Sequence, residues 1–298
     1  MTFLEAAVLL ATCLFAQKSP GVCLAPTTVA DAHASRPAIE LTGESTDVVL
    51  SAEAALAWDW KTGQILYQKN ASERRPIASL NKLLAALAAR AVLSPSATVE
   101  IPADVRPAQR AGANIRLPVG EHVTVDQLFK AGLVASAADA MVTLADAAKT
   151  TEPAFAAYEN QYAQTIGLHD TLAANSTGLS TDAAHPQYST ANDVRMMLER
   201  IYADPLLAGY MGEAGGTLQT VEGTKREYKT TDKLLGTYLP ILAGKTGFTD
   251  EAGGNLVIVT EGTAGQKIGA IILGSTDRFQ DMKVLIEWIN RNYTWNRL

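Results

Sequence analysis

The sequence predicts an α/β protein whose last helix covers a sheet, and three observations predict it. Two short apolar runs flank a glycine-containing turn near residues 54–68, a hairpin pattern. A long middle stretch then carries apolar residues at three- and four-residue spacing, the helical period. Three more apolar runs and one amphipathic segment close the chain, so the terminal helix can lie across the strands.

Composition narrows the function classes. The 298 residues suffice for one large domain or two small ones. Hydrophobic residues make up 47% and charged residues 19%, against roughly 25% charged in an average soluble protein, which excludes intrinsic disorder. A formal charge of −6 and the lack of a Lys/Arg stripe give no electrostatic reason to bind nucleic acid. Cys13 and Cys23 both lie in the first 23 residues. A disulfide framework or a cysteine metal site in the main body is therefore excluded.

Taken in order, the chain opens with an apolar run over residues 6–16 (AAVLLATCLFA). At 11 residues it falls short of the roughly 20 that a spanning helix needs. It fits a secretory signal peptide, with Ala32-His33-Ala34 as a small-x-small cleavage site before Ser35. No Lys or Arg precedes it, Glu5 sits at its edge, and neither cysteine follows a lipobox. Residues 1–34 are thus read as a signal peptide, residues 35–50 as a polar linker and residues 51–298 as one domain. Strands are expected over 54–60 and 64–68, and an Ala-rich helix over 79–93 with Leu80, Leu83, Leu84, Leu87 and Val92 on its apolar face. Further helices are expected over 123–134, 137–148, 153–166 and 191–202, the last capped by Ser189 and Thr190. Strands over 241–246, 255–260 and 268–273 precede a helix over 277–292.

Which residues carry chemistry is decided partly by elimination. His33, His122, His169 and His185 are scattered, with no pair at i and i+4, so the histidines offer no zinc motif. No G-x-S-x-G occurs, which removes the α/β-hydrolase nucleophile elbow. Gly244-Lys245-Thr246 mimics the end of a P-loop, but the first glycine would fall on Leu239.

Ser79-Leu80-Asn81-Lys82 does stand out, because Ser and Lys at i and i+3 of a helix share a face. A serine hydroxyl needs an adjacent base, and a lysine serves when desolvation or neighbouring cations lower its pKa. The helix N-terminus adds N–H donors where an oxyanion would form. Alone the pattern equally fits a capping Ser followed by a surface Lys. Lys245-Thr246-Gly247 ends an expected strand 166 residues further on, and a glycine there lets a substrate backbone approach the strand edge.

S-x-x-K followed by K-T-G is the signature of penicillin-binding proteins and serine β-lactamases. Around it, Arg74-Arg75-Pro76-Ile77-Ala78-Ser79, Tyr188-Ser189-Thr190-Ala191-Asn192-Asp193, Gly244 to Gly253 and Leu273-Gly274-Ser275-Thr276-Asp277-Arg278-Phe279 resemble one branch of that group. The branch is the serine-type D-alanyl-D-alanine carboxypeptidases, the low-molecular-mass penicillin-binding proteins. The resemblance implies a β-lactamase/transpeptidase-like fold, an antiparallel sheet flanked by helices with an inserted helical subdomain and a cleft between. It implies Ser79 as nucleophile, Lys82 as its base, and Lys245 and Thr246 as holders of the substrate's terminal carboxylate. Gly247 completes that motif, and the backbone N–H groups of Ser79 and Phe248 would bind the oxyanion. The implied reaction is acyl transfer from a peptidoglycan stem peptide ending in D-Ala-D-Ala, with no metal or organic cofactor, β-lactam antibiotics as covalent inhibitors, and the exported cell envelope as its place.

Three departures from the family pattern matter. The third motif, Ser-x-Asn, corresponds to Ser136-Ala137-Ala138, with Asp139 and Ala140 keeping the register. Ser136 can relay a proton to the leaving amine, but Ala138 stands where the motif has its amide. One well-placed donor of that kind is worth on the order of 10²–10³ in rate. Asn81 lies at i+2 from Ser79 and so points away from the catalytic face. Residues 230–235 (TTDKLL) replace the Asn-Thr-Asn stretch usual before the K-T-G strand. The β-rich C-terminal domain and amphipathic anchor of many relatives are not found, so membrane attachment is expected only through an uncleaved N-terminal segment. Three functions follow: an active carboxypeptidase, an impaired homologue that binds stem peptides or partners without turnover, or a β-lactamase-like hydrolase. Against the last, no Glu-x-x-x-Asn lies between Ala138 and Lys245, and Asn175-Ser176-Thr177-Gly178-Leu179 resembles the carboxypeptidases.

Overall fold

The computed structural model describes residues 39–42, 47–179 and 186–295. The expected signal peptide, both cysteines, His33 and His185 lie outside them.

Five strands form the central sheet. After the short β1 (Ile39–Leu41) come the hairpin strands β2 (Ala54–Asp59) and β3 (Ile65–Lys69). The Asp59 carboxylate closes that turn by accepting from the Thr62 N–H and hydroxyl, each at 2.8 Å. A 3₁₀ turn (Ala78–Leu80) leads into α1 (Asn81–Arg90), so the expected helix over 79–93 starts two residues late and stops three early. Next come β4 (Thr98–Glu100), α2 (Val105–Ala111), β5 (His122–Thr124) and α3 (Val125–Val134). The helical region continues through α4 (Ala138–Lys149), α5 (Glu152–Thr165), α6 (Ala191–Ala203) and α7 (Pro205–Met211). A small hairpin, β6 (Gly215–Gln219) and β7 (Lys225–Lys229), precedes β8 (Ile241–Thr249), β9 (Gly253–Glu261) and β10 (Lys267–Ser275). Finally α8 (Arg278–Asn292) runs into β11 (Tyr293–Trp295).

Sheet order is β3-β2-β10-β9-β8, every neighbouring pair antiparallel, with β8 at one edge. Period-two alternation explains why both faces are apolar. On β2, Ala54, Leu56 and Trp58 join the core shared with α1, α3 and α4, whereas Ala55 and Ala57 face the core built with α8 through Met282, Leu285, Ile286 and Ile289. The terminal helix thus covers the sheet, and the helices between β3 and β8 form the inserted subdomain. Helix α1 is buried from Asn81 to Ala89, a central position that its alanines suit because they let neighbouring helices approach closely.

Several elements differ from expectation. Val123 and Thr124, expected as helix, pair with β4, and Thr124 then caps α3 by accepting from the Gln127 N–H at 3.4 Å. Of the two caps expected for α6, only the Thr190 hydroxyl accepts from the helix, at Asp193 N–H; the Ser189 hydroxyl faces Thr171 instead at 2.8 Å. The stretch read as linker is in part packed. Ile39, Val48 and Leu50 are buried in the α8-side core, and β1 pairs with β11. Its apolar residues are too few and too spaced for a periodicity, but each finds an apolar partner in the second half of the chain.

Candidate active site

The cleft lies between the β8 edge and the helical subdomain. It has a volume of about 510 Å³ and is lined by Ser79, Gly112, Ala113, Ser136, Leu179, Thr231, Thr246, Gly247, Phe248 and Arg278, among others. Ser79 sits in the 3₁₀ turn, not in α1 proper. The preceding Ala78 has φ +47°, a left-handed conformation rare for a residue with a side chain. Two glycines let other backbone segments reach this turn. A Cβ on Gly178 (φ +70°) would lie 2.0 Å from the Ala78 carbonyl oxygen, and one on Gly247 would lie 2.8 Å from the Ile77 carbonyl oxygen and 3.1 Å from Ser79 N. Gly247 thus permits a close approach between the edge strand and the nucleophile turn.

Lys82, one turn on, places Nζ 2.8 Å from Ser79 Oγ and donates to the Thr177 carbonyl at 2.5 Å. Only 1% of Lys82 is exposed. Burial disfavours its ammonium and lowers its pKa to about 7, while the Glu152 and Asp139 carboxylates pull the other way. An amine that is half neutral near pH 7 and touches a hydroxyl is a competent general base.

Ser136 joins α3 to α4 with φ +57° and is nearly buried. Its Oγ accepts from Lys245 Nζ at 2.7 Å. Lys245 also donates to the Thr246 carbonyl at 2.9 Å, and burial, then the positive charges of Lys82 and Arg278, push its pKa well below the usual lysine value. Lys245 is 1% exposed, so it stands behind Ser136 and does not line the cleft. The groups that do reach the cleft on this side are the Thr246 and Thr231 hydroxyls, 2.5 Å apart, and the half-buried Arg278. Phe248 is 58% exposed beside them, with the Arg278 guanidinium 5.8 Å from its ring.

Ala138 is fully buried at the first position of α4, where its N–H donates to the Ala113 carbonyl at 2.7 Å. The adjacent Asp139 carboxylate collects the N–H groups of Ile115 at 3.3 Å and Leu117 at 2.9 Å and the Gln109 amide at 3.2 Å. The start of α4 thereby holds the 109–117 loop that forms one cleft wall. Asn81 is turned away from the cleft, as its i+2 position implies. Its amide donates to Glu159 Oε1 at 2.9 Å and to the Asn175 carbonyl at 2.8 Å.

The structure therefore brings Ser79, Lys82, Ser136, Lys245, Thr246, Gly247 and Phe248 together. Sequence reasoning gave no role to Thr231, Thr177 or Arg278. Arg278 carried a signal, since it falls within a motif shared with the family, whereas Thr177 acts through a backbone carbonyl that its residue type does not report. Among the described residues no cluster of three or more His, Cys, Asp or Glu could hold a metal ion.

Comparison with known proteins gives the family. The D-alanyl-D-alanine carboxypeptidase family, peptidase S11, matches residues 41–277. The chain is 29% identical over 212 residues to D-alanyl-D-alanine carboxypeptidase DacF of Bacillus subtilis, covering 70% of this chain and 54% of that one. It is 30% identical over 265 residues to DacC of Escherichia coli, covering 84% and 64%. The chain thus spans somewhat more than half the length of these relatives. Among solved structures, the Streptomyces K15 DD-transpeptidase superposes with a TM-score of 0.73 at 26% identity, covering 82% of this chain and 99% of that one. A D-alanyl-D-alanine carboxypeptidase from Mycobacterium tuberculosis shares the fold with a TM-score of 0.74 at 24% identity, covering 85% and 94%. With a family match that runs from β1 to the start of α8, this chain belongs to the D-alanyl-D-alanine carboxypeptidase family of serine peptidases.

Proposed function

We propose that the protein is a serine-type D-alanyl-D-alanine carboxypeptidase that acts on peptidoglycan stem peptides through an acyl-enzyme on Ser79. The observation that carries the proposal is the 2.8 Å contact between Ser79 Oγ and a buried Lys82 amine that is half neutral near pH 7. Neutral Lys82 takes the Ser79 proton as Oγ attacks the penultimate D-alanine carbonyl. The backbone N–H groups of Ser79 and Phe248 receive the oxyanion, Ser79 from its turn and Phe248 from the edge strand. Ser136, whose Oγ accepts from Lys245, gives its hydroxyl proton to the departing D-alanine amine. It is reprotonated with the proton that Lys82 took from Ser79, which leaves Lys82 neutral again. Water then attacks the ester, with Lys82 again as base.

Thr246 and Thr231 offer hydroxyls to the substrate's terminal carboxylate, and Arg278 supplies the positive charge that the buried Lys245 withholds from the cleft. β-Lactams, whose carboxylate and strained amide imitate the dipeptide, would acylate the same serine. Peptidoglycan places the protein in the cell envelope, with residues 1–34 as its export signal. Among the described residues no helix is long and apolar enough to cross a membrane.

A second reading is favoured by Ala138: a homologue that binds stem peptides without turnover. One experiment separates the two. A fluorescent penicillin should label the protein on Ser79, Ser79→Ala should lose the label while keeping its melting temperature, and a D-Ala-D-Ala peptide should release D-alanine. Labelling without release would favour the binding homologue. Equal labelling of Ser79→Ala would overturn the nucleophile.

A further inference from the structure

Beneath the Ser79–Lys82 pair, α5 carries two acids seven residues apart, Glu152 and Glu159. Two helical turns put them on one face. Glu159 is fully buried, while Glu152 at the start of the helix is partly so. Both grip the same short segment. Glu152 accepts from the Ser176 N–H at 3.0 Å and from the Ser176 hydroxyl at 2.5 Å. Glu159 Oε1 accepts from the Asn81 amide, which also donates to the Asn175 carbonyl. Asn175 Oδ1 in turn collects Thr177 N–H, Thr177 Oγ1 and Gly178 N–H at 3.0, 2.7 and 2.9 Å. The segment so held presents the Thr177 carbonyl that fixes Lys82 Nζ.

A purely structural clamp needs only acceptors, and glutamine would serve. Two features exceed that need. Glu159 Oε2 is buried with no hydrogen-bond partner, an arrangement too costly for a charged oxygen and tolerable for a protonated acid. Burial and the nearby charge of Glu152 push the Glu159 pKa well up, in the same direction as the unpartnered oxygen. Burial raises Glu152 as well, but its two Ser176 hydrogen bonds and the charge of Lys82 pull it back. Both Glu152 oxygens accept hydrogen bonds from Ser176, as those of a carboxylate do, and the positive charge that acts on it is Lys82.

We propose that Glu152 and Glu159 are positioning residues for the catalytic lysine: neutral Glu159 locks the 175–178 segment to α1, and ionised Glu152 tunes how readily Lys82 gives up its proton. The other groups that face Lys82 are few. Asp139 of α4 adds a second negative charge, Lys245 of β8 opposes both, and Ser79 and the Thr177 carbonyl are its hydrogen-bond partners. Asp104 acts on Glu152 from beyond the cluster. The carboxylate of Glu152 thus holds Lys82 partly protonated against the burial that would neutralise it, and keeps the proton close to Ser79 for return to the leaving group.

The inference rests on Ser79 and Lys82 as the catalytic pair, but its test does not require turnover. The Lys82 side chain is observed directly by NMR titration of its Cε resonance in the full-length protein, assigned with Lys82→Arg. Glu152→Gln keeps an acceptor for the Ser176 N–H, offers the Ser176 hydroxyl an NH2 donor in place of the second oxygen, and removes the charge. It should lower the Lys82 midpoint by about half a pH unit or more and move the acid limb of penicillin acylation down by the same amount. Ser176→Ala, which frees Glu152 from one of its two stabilising bonds, should give a smaller shift in the same direction. Glu159→Gln should leave the midpoint in place to within about 0.2 unit, because it replaces one neutral group by another. Unmoved midpoints in both Glu152→Gln and Ser176→Ala would overturn the proposal, even if acylation slowed at every pH. A large downward shift in Glu159→Gln would put the charge on the wrong acid and overturn the division of roles. A shifted midpoint in a protein that no penicillin acylates would support the coupling while overturning the reading of Ser79.

Discussion

Gly247 carries the edge strand past Ser79 at a distance that a side chain would prevent: a Cβ there would sit 3.1 Å from Ser79 N and 2.8 Å from the Ile77 carbonyl oxygen. That contact joins the last motif of the chain to the first and sets the spacing between the nucleophile and the strand beside it.

Gly247→Ala should therefore damage chemistry more than fold. Backbone atoms cannot swing aside as a side-chain end can, so either β8 or the Ala78–Leu80 turn must shift by a few tenths of an ångström. A stability loss of about 1–3 kcal/mol is expected from such overpacking. Misplacement at the reacting centre costs more, and penicillin acylation should slow by about 10²-fold. Melting curves and stopped-flow acylation measure the two separately. Equal acylation rates would show that the strand and turn are not rigidly coupled.

The protonation of Lys82 predicts an acid limb. Its folded pKa is lowered to about 7 by burial, and the neutral amine is the form that accepts a proton. The acylation rate should rise about tenfold per pH unit below 7 and level off above it. Lys82→Arg, whose guanidinium stays charged, should lose that limb and fall by at least about 10³-fold. A wild-type limb near the ordinary lysine value of 10.5 would mean that water reaches the amine in solution.

Carboxylate recognition should depend on Arg278. A charge-assisted hydrogen bond is worth about 1.5–3 kcal/mol, so Arg278→Gln should lower kcat/KM for a free-acid D-Ala-D-Ala peptide by about tenfold to a hundredfold. The amidated peptide should be slow with both proteins. If Arg278→Gln discriminates acid from amide as sharply as wild type, another cation reads the carboxylate.

Ala138→Asn tests what the missing amide costs. The Ala138 methyl is fully buried, so the larger side chain should lower stability by about 1–3 kcal/mol. Where the fold survives, kcat/KM for a D-Ala-D-Ala peptide should rise at least about tenfold, or about 1.4 kcal/mol, mainly through kcat. A folded variant that is no faster would mean that the Thr177 carbonyl already does for Lys82 what the amide would do.

How much of this was legible in the sequence follows from the range of each signal. The sheet strands and the long helices carry their own periodicity, and β2, β9 and β10 read as apolar runs because both faces are covered. Strands β1, β4, β5 and β11, each of 3 residues, are too short for any period and form only because a distant partner is brought alongside. Ser79 and Lys82 announce themselves by local spacing. Glu159 and Asn81, 78 residues apart, carry no such mark, since a buried acid on a helix otherwise rich in Ala, Tyr and Gln looks like one more solvent-facing charge. Lys245 shows the complementary limit. The motif gave its place, but only the burial of its amine behind Ser136 shows that its charge is turned from the cleft.

The pairing of β1 with β11 has a mechanical consequence. Ile39 lies opposite Trp295 and Leu41 opposite Tyr293, so a load applied through the two ends of the described chain pulls a directly facing pair apart. Its ladder opens one rung at a time, as a zipper does, and resists far less than strands dragged lengthwise past each other. Tension would then reach the Asp281 carboxylate, which holds Ser51 N–H at 3.0 Å, Ser51 Oγ at 2.8 Å and Ala52 N–H at 2.8 Å. That knot lies upstream of β2, while Trp295 Nε1, donating to Asp59 Oδ2 at 3.0 Å, and the Tyr293 hydroxyl, donating to the Leu66 carbonyl at 2.8 Å, tie the other side of the ribbon to the β2–β3 hairpin. A pull from outside must therefore break the clasp on one side and these two bonds on the other before it disturbs the spacing around Ser79.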